Sequence, residues 1–182
     1  MPAPIRADFA ASFLPRLQNI PLRLLAFVPL AFLQPLLGHI ATHVAKSHPA
    51  LFARLGSHTS KRFLIDPTDL PFVLVLIPDA AKPYLKACRR YESPPHNAGI
   101  AGTFFDLLDM IAGSLDGDAL FFSRDLRVTG DMEAVVALRN ALDDVDGDIA
   151  DTILSAFGPL SGPAAIALSA LRAIRRSERD AR

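Results

Sequence analysis

The alternation of apolar and polar positions divides the chain into a helical front, a middle of short strands followed by helices, and a helical tail. Residues 24–45 include no Lys, Arg, Asp or Glu across 22 positions. At about 1.5 Å per residue that is enough to cross a bilayer core of about 30 Å. Its interior argues against a span, because Pro29, Gln34, Pro35, Gly38, His39, Thr42 and His43 interrupt it, and an interior proline removes a backbone donor and kinks a helix. The pattern instead predicts short apolar helices over residues 22–28, 30–45 with a kink at Pro35, and 50–55. Such helices need cover. They can pack on the domain that follows, lie in a membrane interface with Arg16 and Arg23 at the headgroups, or form a lid. A secretory leader is not expected, since the apolar stretch behind Arg6 and Arg16 starts late, is broken by prolines and lacks a small-residue cleavage site.

In the middle, residues 61–65 (KRFLI) stop at Asp66-Pro67 and residues 70–77 (LPFVLVLI) at Pro78-Asp79, and both read as strands. The second is apolar on both faces. It belongs inside a sheet covered on each side, or has one face on a packed core and the other on a ligand cavity. Residues 84–88 and 98–102 also read as strands, and four strands at this spacing predict a small, largely antiparallel sheet. Thr103 then opens a helix as its N-cap, with Asp106 placed to bond back to the cap. Phe104, Leu107, Leu108 and Ile111 form its apolar stripe. A short helix carrying Leu120, Phe121 and Phe122 leads to a fifth strand over 126–129, and Gly130-Asp131 turns into the next helix. That helix buries Val135, Leu138, Leu142 and Val145 and leaves Glu133, Arg139 and Asp143 outside. Residues 149–182 read as two further helices split at 158–163, the second ending in Arg172, Arg175, Arg176 and Arg179, a tail suited to membrane or partner contact.

Composition sharpens this picture. Hydrophobic residues are 51% of 182, and with 10 glycines the apolar share is about 56%, against roughly 45–50% in ordinary domains. The surplus needs a place to go. Lys+Arg 19 balances Asp+Glu 19, which argues against a protein built to neutralise phosphates. The balance hides an asymmetry of +3 in residues 1–50, +3 in 51–100, −8 in 101–150 and +2 in 151–182, a dipole able to orient the molecule towards an anionic surface or a charged partner. Cys88 is the one cysteine, which excludes an internal disulfide or a cysteine-rich metal site and fits a reducing compartment. Arg89 and Arg90 beside it would favour a thiolate, but a free cysteine is more often a small core residue.

Candidate chemistry is sparse. His39 and His43 have the i, i+4 spacing of a two-histidine metal motif, but no Glu follows His39 and no third ligand is evident, so no metal is expected. The acidic run 143–148 fails the calcium-loop frame, which would put Ile149 where glycine is needed and Ser155 where glutamate is needed. No phosphate loop, dinucleotide turn, nucleophile elbow or zinc-protease motif occurs, so neither an enzyme nor a cofactor is expected.

The segment Asp118-Ala-Leu-Phe-Phe-Ser-Arg-Asp-Leu-Arg-Val-Thr-Gly-Asp-Met-Glu133, followed by the helix at 135–142, resembles the closing part of the sterol carrier protein type 2 (SCP2) domain. Leu120-Phe-Phe-Ser-Arg124 and Leu126-Arg-Val-Thr-Gly-Asp131 are similar to its bacterial UbiT subgroup. The resemblance implies an α+β fold: a small mixed, mostly antiparallel five-stranded sheet covered by helices around an apolar lipid tunnel. It would occupy residues 50–146, between a helical extension over 1–49 and a helical tail over 147–182. It further implies a non-enzymatic accessory factor of oxygen-independent ubiquinone biosynthesis, cytoplasmic or peripheral to the inner membrane. Such a factor holds the polyprenyl tail of quinone intermediates, or another lipid such as a phospholipid, for the hydroxylating partners UbiU and UbiV. No catalytic set transfers, and the expected tunnel lining is Phe63, Phe72, Leu74, Leu76, Phe105, Leu108, Phe121, Phe122 and Leu126. The chain departs from eukaryotic carriers in ending Asp-Ala-Arg rather than Ser-Lys-Leu. The alternative is an interaction module or membrane-peripheral scaffold with a filled core and no lipid cargo.

Overall fold

The structure, a computed structural model, describes residues 29–112, 126–143, 149–158, 161–162 and 169. The helix expected at 22–28, the segment with Phe121 and Phe122, Val145 and the arginine-rich tail lie outside the described residues.

A 3-10 turn at Leu30–Phe32 leads into α1 (Leu33–Ser47). Pro35 is the third residue of α1, where the absent N–H has no helical acceptor to lose. The break expected at Pro35 therefore appears as a change from 3-10 to α winding just before it. His48 leaves helical geometry, and Pro49 starts α2 (Pro49–Leu55) from the first position, where proline fits. Gly56, at φ +53, ends it. No helix among the described residues is long and apolar enough to cross a membrane.

Five strands follow the predicted order: β1 (Phe63–Pro67), β2 (Phe72–Ile77), β3 (Tyr84–Arg89), β4 (Ala98–Gly102) and β5 (Arg127–Gly130). They form one sheet in the order β3-β2-β1-β4-β5, with β1 and β4 parallel and the other pairs antiparallel. β1 starts two residues later than expected and runs through Asp66-Pro67. Pro67 is tolerated as its last residue, and Thr68 N–H carries the ladder on to the Gly102 carbonyl at 2.8 Å.

Three helices complete the described fold: α3 (Phe104–Ala112), α4 (Met132–Asp143) and α5 (Ile149–Ser155). Thr103 caps α3 as predicted. Asp106 N–H donates to Thr103 Oγ1 at 3.3 Å, the Thr103 hydroxyl donates back to the Asp106 carboxylate, and Phe104 N–H is taken by Asp69 at 2.8 Å. Gly130 is obligatory at the turn into α4: its φ is +74, and a Cβ would stand 2.3 Å from the Asn97 carbonyl oxygen. Ala134, Val135, Leu138 and Ala141 are the buried positions of α4. Arg139, expected outside, is largely covered, its side chain 12% exposed and paired with Asp143 at 3.2 Å.

The main core lies between the sheet and α2, α3 and α4, where Leu51, Leu55, Phe63, Ile100, Val135 and Leu138 pack together. A second, smaller cluster of Val73, Val75 and Cys88 with Leu64 forms on the opposite sheet face. Cys88 is buried there. Desolvation pushes its thiol pKa up, Glu92 adds to this, and Lys86 opposes it, so the thiolate that the neighbouring arginines suggested is disfavoured. Arg90 is engaged elsewhere, with Asp66 and the carbonyls of Pro67 and Leu70.

Candidate functional site: an apolar cavity

β2 resolves the choice its sequence left open. Val73 and Val75 are 3% and 6% exposed within the second cluster, whereas Leu74 and Leu76, on the other face of the same strand, are only half-buried. A central strand should bury its core face at least as well as its outer face, so the space above Leu74 and Leu76 is not filled by side chains. It is a cavity of about 380 Å³.

The register explains its floor. Ile65 pairs with Leu74 in β2 and with Ile100 in β4, and Leu76 pairs with Leu85 in β3, so these residues share one sheet face. The roof comes from helices. α3 presents Phe104, Leu107, Leu108 and Ile111, the i, i+3, i+4, i+7 stripe of its sequence, and α4 adds Leu138 and Leu142. α1 closes the side next to β3 with Leu36, Leu37, Ile40, Ala41 and Val44. Its position is fixed by Gln34, whose Nε2 donates to the Ala87 carbonyl at 2.7 Å while Oε1 accepts from Ala87 N–H at 3.3 Å. That amide satisfies the open edge of β3 as a further strand would. Ile149, Ile153 and Phe157 complete the wall.

Every described lining residue is Leu, Ile, Val, Ala, Phe, Met or Pro. Among the described residues the cavity therefore offers no nucleophile, acid or base, and no group of three His, Cys, Asp or Glu side chains converges anywhere. Its capability is to exclude water from hydrocarbon. An apolar cavity of about 150 Å³ lined by Leu, Ile and Phe already stays dry and takes up benzene, and this one is roughly two and a half times larger. Along the strands, Pro67 and Pro78 mark its ends. They stand six register positions apart, about 20 Å at 3.3 Å per residue, so the space suits an extended chain.

Of the residues the sequence nominated, Leu74, Leu76 and Leu108 line the cavity. Phe63 and Leu126 do not, because they are spent on the solid core beside it, at 0% and 8% exposure. Phe72, opposite Arg89 at the end of β2, and Phe105 are half-buried and off the lining. In the pair of phenylalanines the helical phase selects Phe104, against which Phe105 stacks edge-on with centroids 5.4 Å apart. Phe121 and Phe122 lie outside the described residues. The lining residues missed include Ile65, Leu85 and Ile100 of the sheet, most of the inner face of α3, Leu138 and Leu142 of α4, and the walls from α1 and residues 149–157. For α1 a signal existed, apolar residues at i, i+4, i+8 within the uncharged 24–45 stretch.

A small mixed sheet roofed by helices over a cavity whose described lining is hydrocarbon defines a binder of apolar ligands. Residues 40–143 match the model of the SCP-2 sterol transfer family, and the chain belongs to that family. Among solved structures it is similar to "UbiJ-SCP2 Ubiquinone synthesis protein", at 17% identity and TM-score 0.45 over 63% of this chain and 88% of the other. It is also similar to Sterol Carrier Protein 2 from Yarrowia lipolytica in its apo form, at 10% identity and TM-score 0.42 over 57% and 84%. A third is the sterol carrier protein domain 2 of Helicoverpa armigera, at 16% identity and TM-score 0.40 over 59% and 86%. No curated protein sequence matches.

Proposed function

We propose that the protein is a lipid-binding accessory factor that holds the polyprenyl tail of quinone intermediates in this cavity, within oxygen-independent ubiquinone biosynthesis. The observation that carries the lipid-binding part is the cavity of about 380 Å³, apolar throughout its described lining. A hydrocarbon chain that fills it gains about 0.8 kcal/mol per buried methylene.

The pathway rests on the likeness of residues 118–133 to the UbiT subgroup. In that reading the protein works at the inner face of the membrane and presents the quinone head to UbiU and UbiV, which carry out the hydroxylation. A lining without polar groups suits a division of labour in which the tail is enclosed and the head stays outside for a partner.

The test is direct. Organic extracts of the purified protein, analysed by mass spectrometry, are expected to contain a polyprenyl lipid, and Leu76→Asp, folded by circular dichroism, is expected to lose it. Wild-type extracts consistently free of lipid would favour the filled interaction module instead. For the pathway, deleting the gene is expected to abolish ubiquinone only in cells grown without oxygen, and an unchanged anaerobic quinone pool refutes that assignment.

A further inference from the structure

The match to the family ends at Asp143, but the cavity does not. α5 lies beyond that limit, and Ile149 and Ile153, spaced i, i+4 on its face, line the cavity together with Phe157 in the turn that follows it. The polar side of the same helix is fastened to α1 and to the residue that follows it. His43 Nε2 lies 2.9 Å from Ser155 Oγ, and His48 Nε2 lies 2.8 Å from Thr152 Oγ1. The Ser155 hydroxyl donates to the Thr152 carbonyl at 2.7 Å, so its oxygen accepts from His43 Nε2–H, which fixes the His43 tautomer. A helix of 7 residues has too few turns to persist by itself in water. Its position depends on these contacts.

We infer that α5 and the turn after it form a wall, beyond the residues matched to the family, that sets the length and bulk of the apolar chain this cavity accepts, with His43 and His48 as positioning residues that hold the wall in place. This rests on the lipid-binding reading above. The wall faces hydrocarbon with side chains of graded size and touches no polar part of the cavity. Trimming it therefore lengthens the accepted chain without altering how a head group is recognised. Each further methylene buried strengthens binding by about fourfold, so removing most of one aromatic side chain is felt as a change in length preference rather than a uniform loss.

The experiment measures displacement of the fluorophore ANS from delipidated full-length protein by geraniol, farnesol and geranylgeraniol. Phe157→Ala and Ile153→Ala are expected to raise the geranylgeraniol-to-geraniol affinity ratio at least tenfold over wild type, and Ile153→Trp to lower it. The double variant His43→Ala/His48→Ala is expected to bring the three affinities towards one another, and His48→Gln, which retains a hydrogen-bonding side chain, to keep the wild-type ratio. If wild type binds the series and the ratio stays fixed through every variant of the wall, the wall does not select and the inference is overturned while lipid binding stands. If wild type displaces ANS with none of the three, both fall together.

Discussion

Asp131 shows how much one side chain can be asked to do at a turn. Its backbone N–H donates to the Asn97 carbonyl at 3.0 Å, its Oδ1 caps α4 by accepting from Ala134 N–H at 3.0 Å, and its Oδ2 pairs with Lys61. The Lys61 ammonium, followed by the Ala134 amide, holds the carboxyl below the usual range despite a smaller opposing effect of desolvation. A carboxyl whose pKa is lowered on folding stabilises the fold above its unfolded value, about 3.9, and loses that contribution as pH falls through the folded value. Asp131→Asn keeps an oxygen for the cap and removes the charge. The variant is expected to melt below wild type at neutral pH, and the gap in Tm to narrow as the buffer is taken from about pH 5 down through the lowered pKa. A gap that is independent of pH would show the ion pair to be irrelevant. The residue-scale reading of the sequence succeeded where a side chain answers to its own backbone, as with Thr103 and Asp106 at the start of α3. It failed where a side chain answers to distant neighbours, as with Phe63, whose place in the core depends on α2 and α4 arriving above it.

The same division holds for whole elements. β2 was legible as a run of apolar residues on both faces, and the order of five strands followed from turns written in Pro, Gly and Asp. The pairing was not: β1 and β4 lie side by side and parallel across thirty residues of intervening chain, and nothing local encodes that. α1 was legible as an apolar helix in need of cover, yet its role as a cavity wall depends on Gln34, which reads in sequence only as an interruption of an uncharged stretch. In the fold that polar residue is what joins the helix to the edge of β3. Gln34→Ala removes both hydrogen bonds to Ala87 and leaves an edge amide and carbonyl to find water beneath α1. It is expected to cost about 1–2 kcal/mol, seen as a lower urea midpoint, with faster hydrogen exchange at the Ala87 amide. Gln34→Glu keeps the acceptor for that amide but sets a carboxylate against the Ala87 carbonyl, so it is expected to be no better. Unchanged exchange at Ala87 in both variants would mean that α1 is held by its apolar face alone.

At the scale of the molecule, the apolar surplus of the composition becomes intelligible. A solid core needs apolar residues on facing surfaces that meet. Here they surround a space instead, so more of them are required, and Ile65, Leu74 and Leu76 in mid-sheet and Leu85 on the edge strand β3 remain half-buried. Such a molecule has left stability unrealised in its empty form, and two routes should recover it. One is ligand: at a hundredfold excess over its Kd, a molecule that binds only the folded state adds about 2.7 kcal/mol. For a chain of this size that raises Tm by roughly 5–10 °C. The other is substitution from within, since Leu74→Phe places additional carbon in the cavity from the centre of its floor. Delipidated Leu74→Phe is expected to melt above delipidated wild type. It is also expected to gain less from added farnesol than wild type does, because the protein and the ligand compete for one space. If the variant melts higher and still gains the full increment, the ligand sits elsewhere. If it melts lower, the floor at Leu74 is already close-packed and the cavity is smaller in solution than the lining implies.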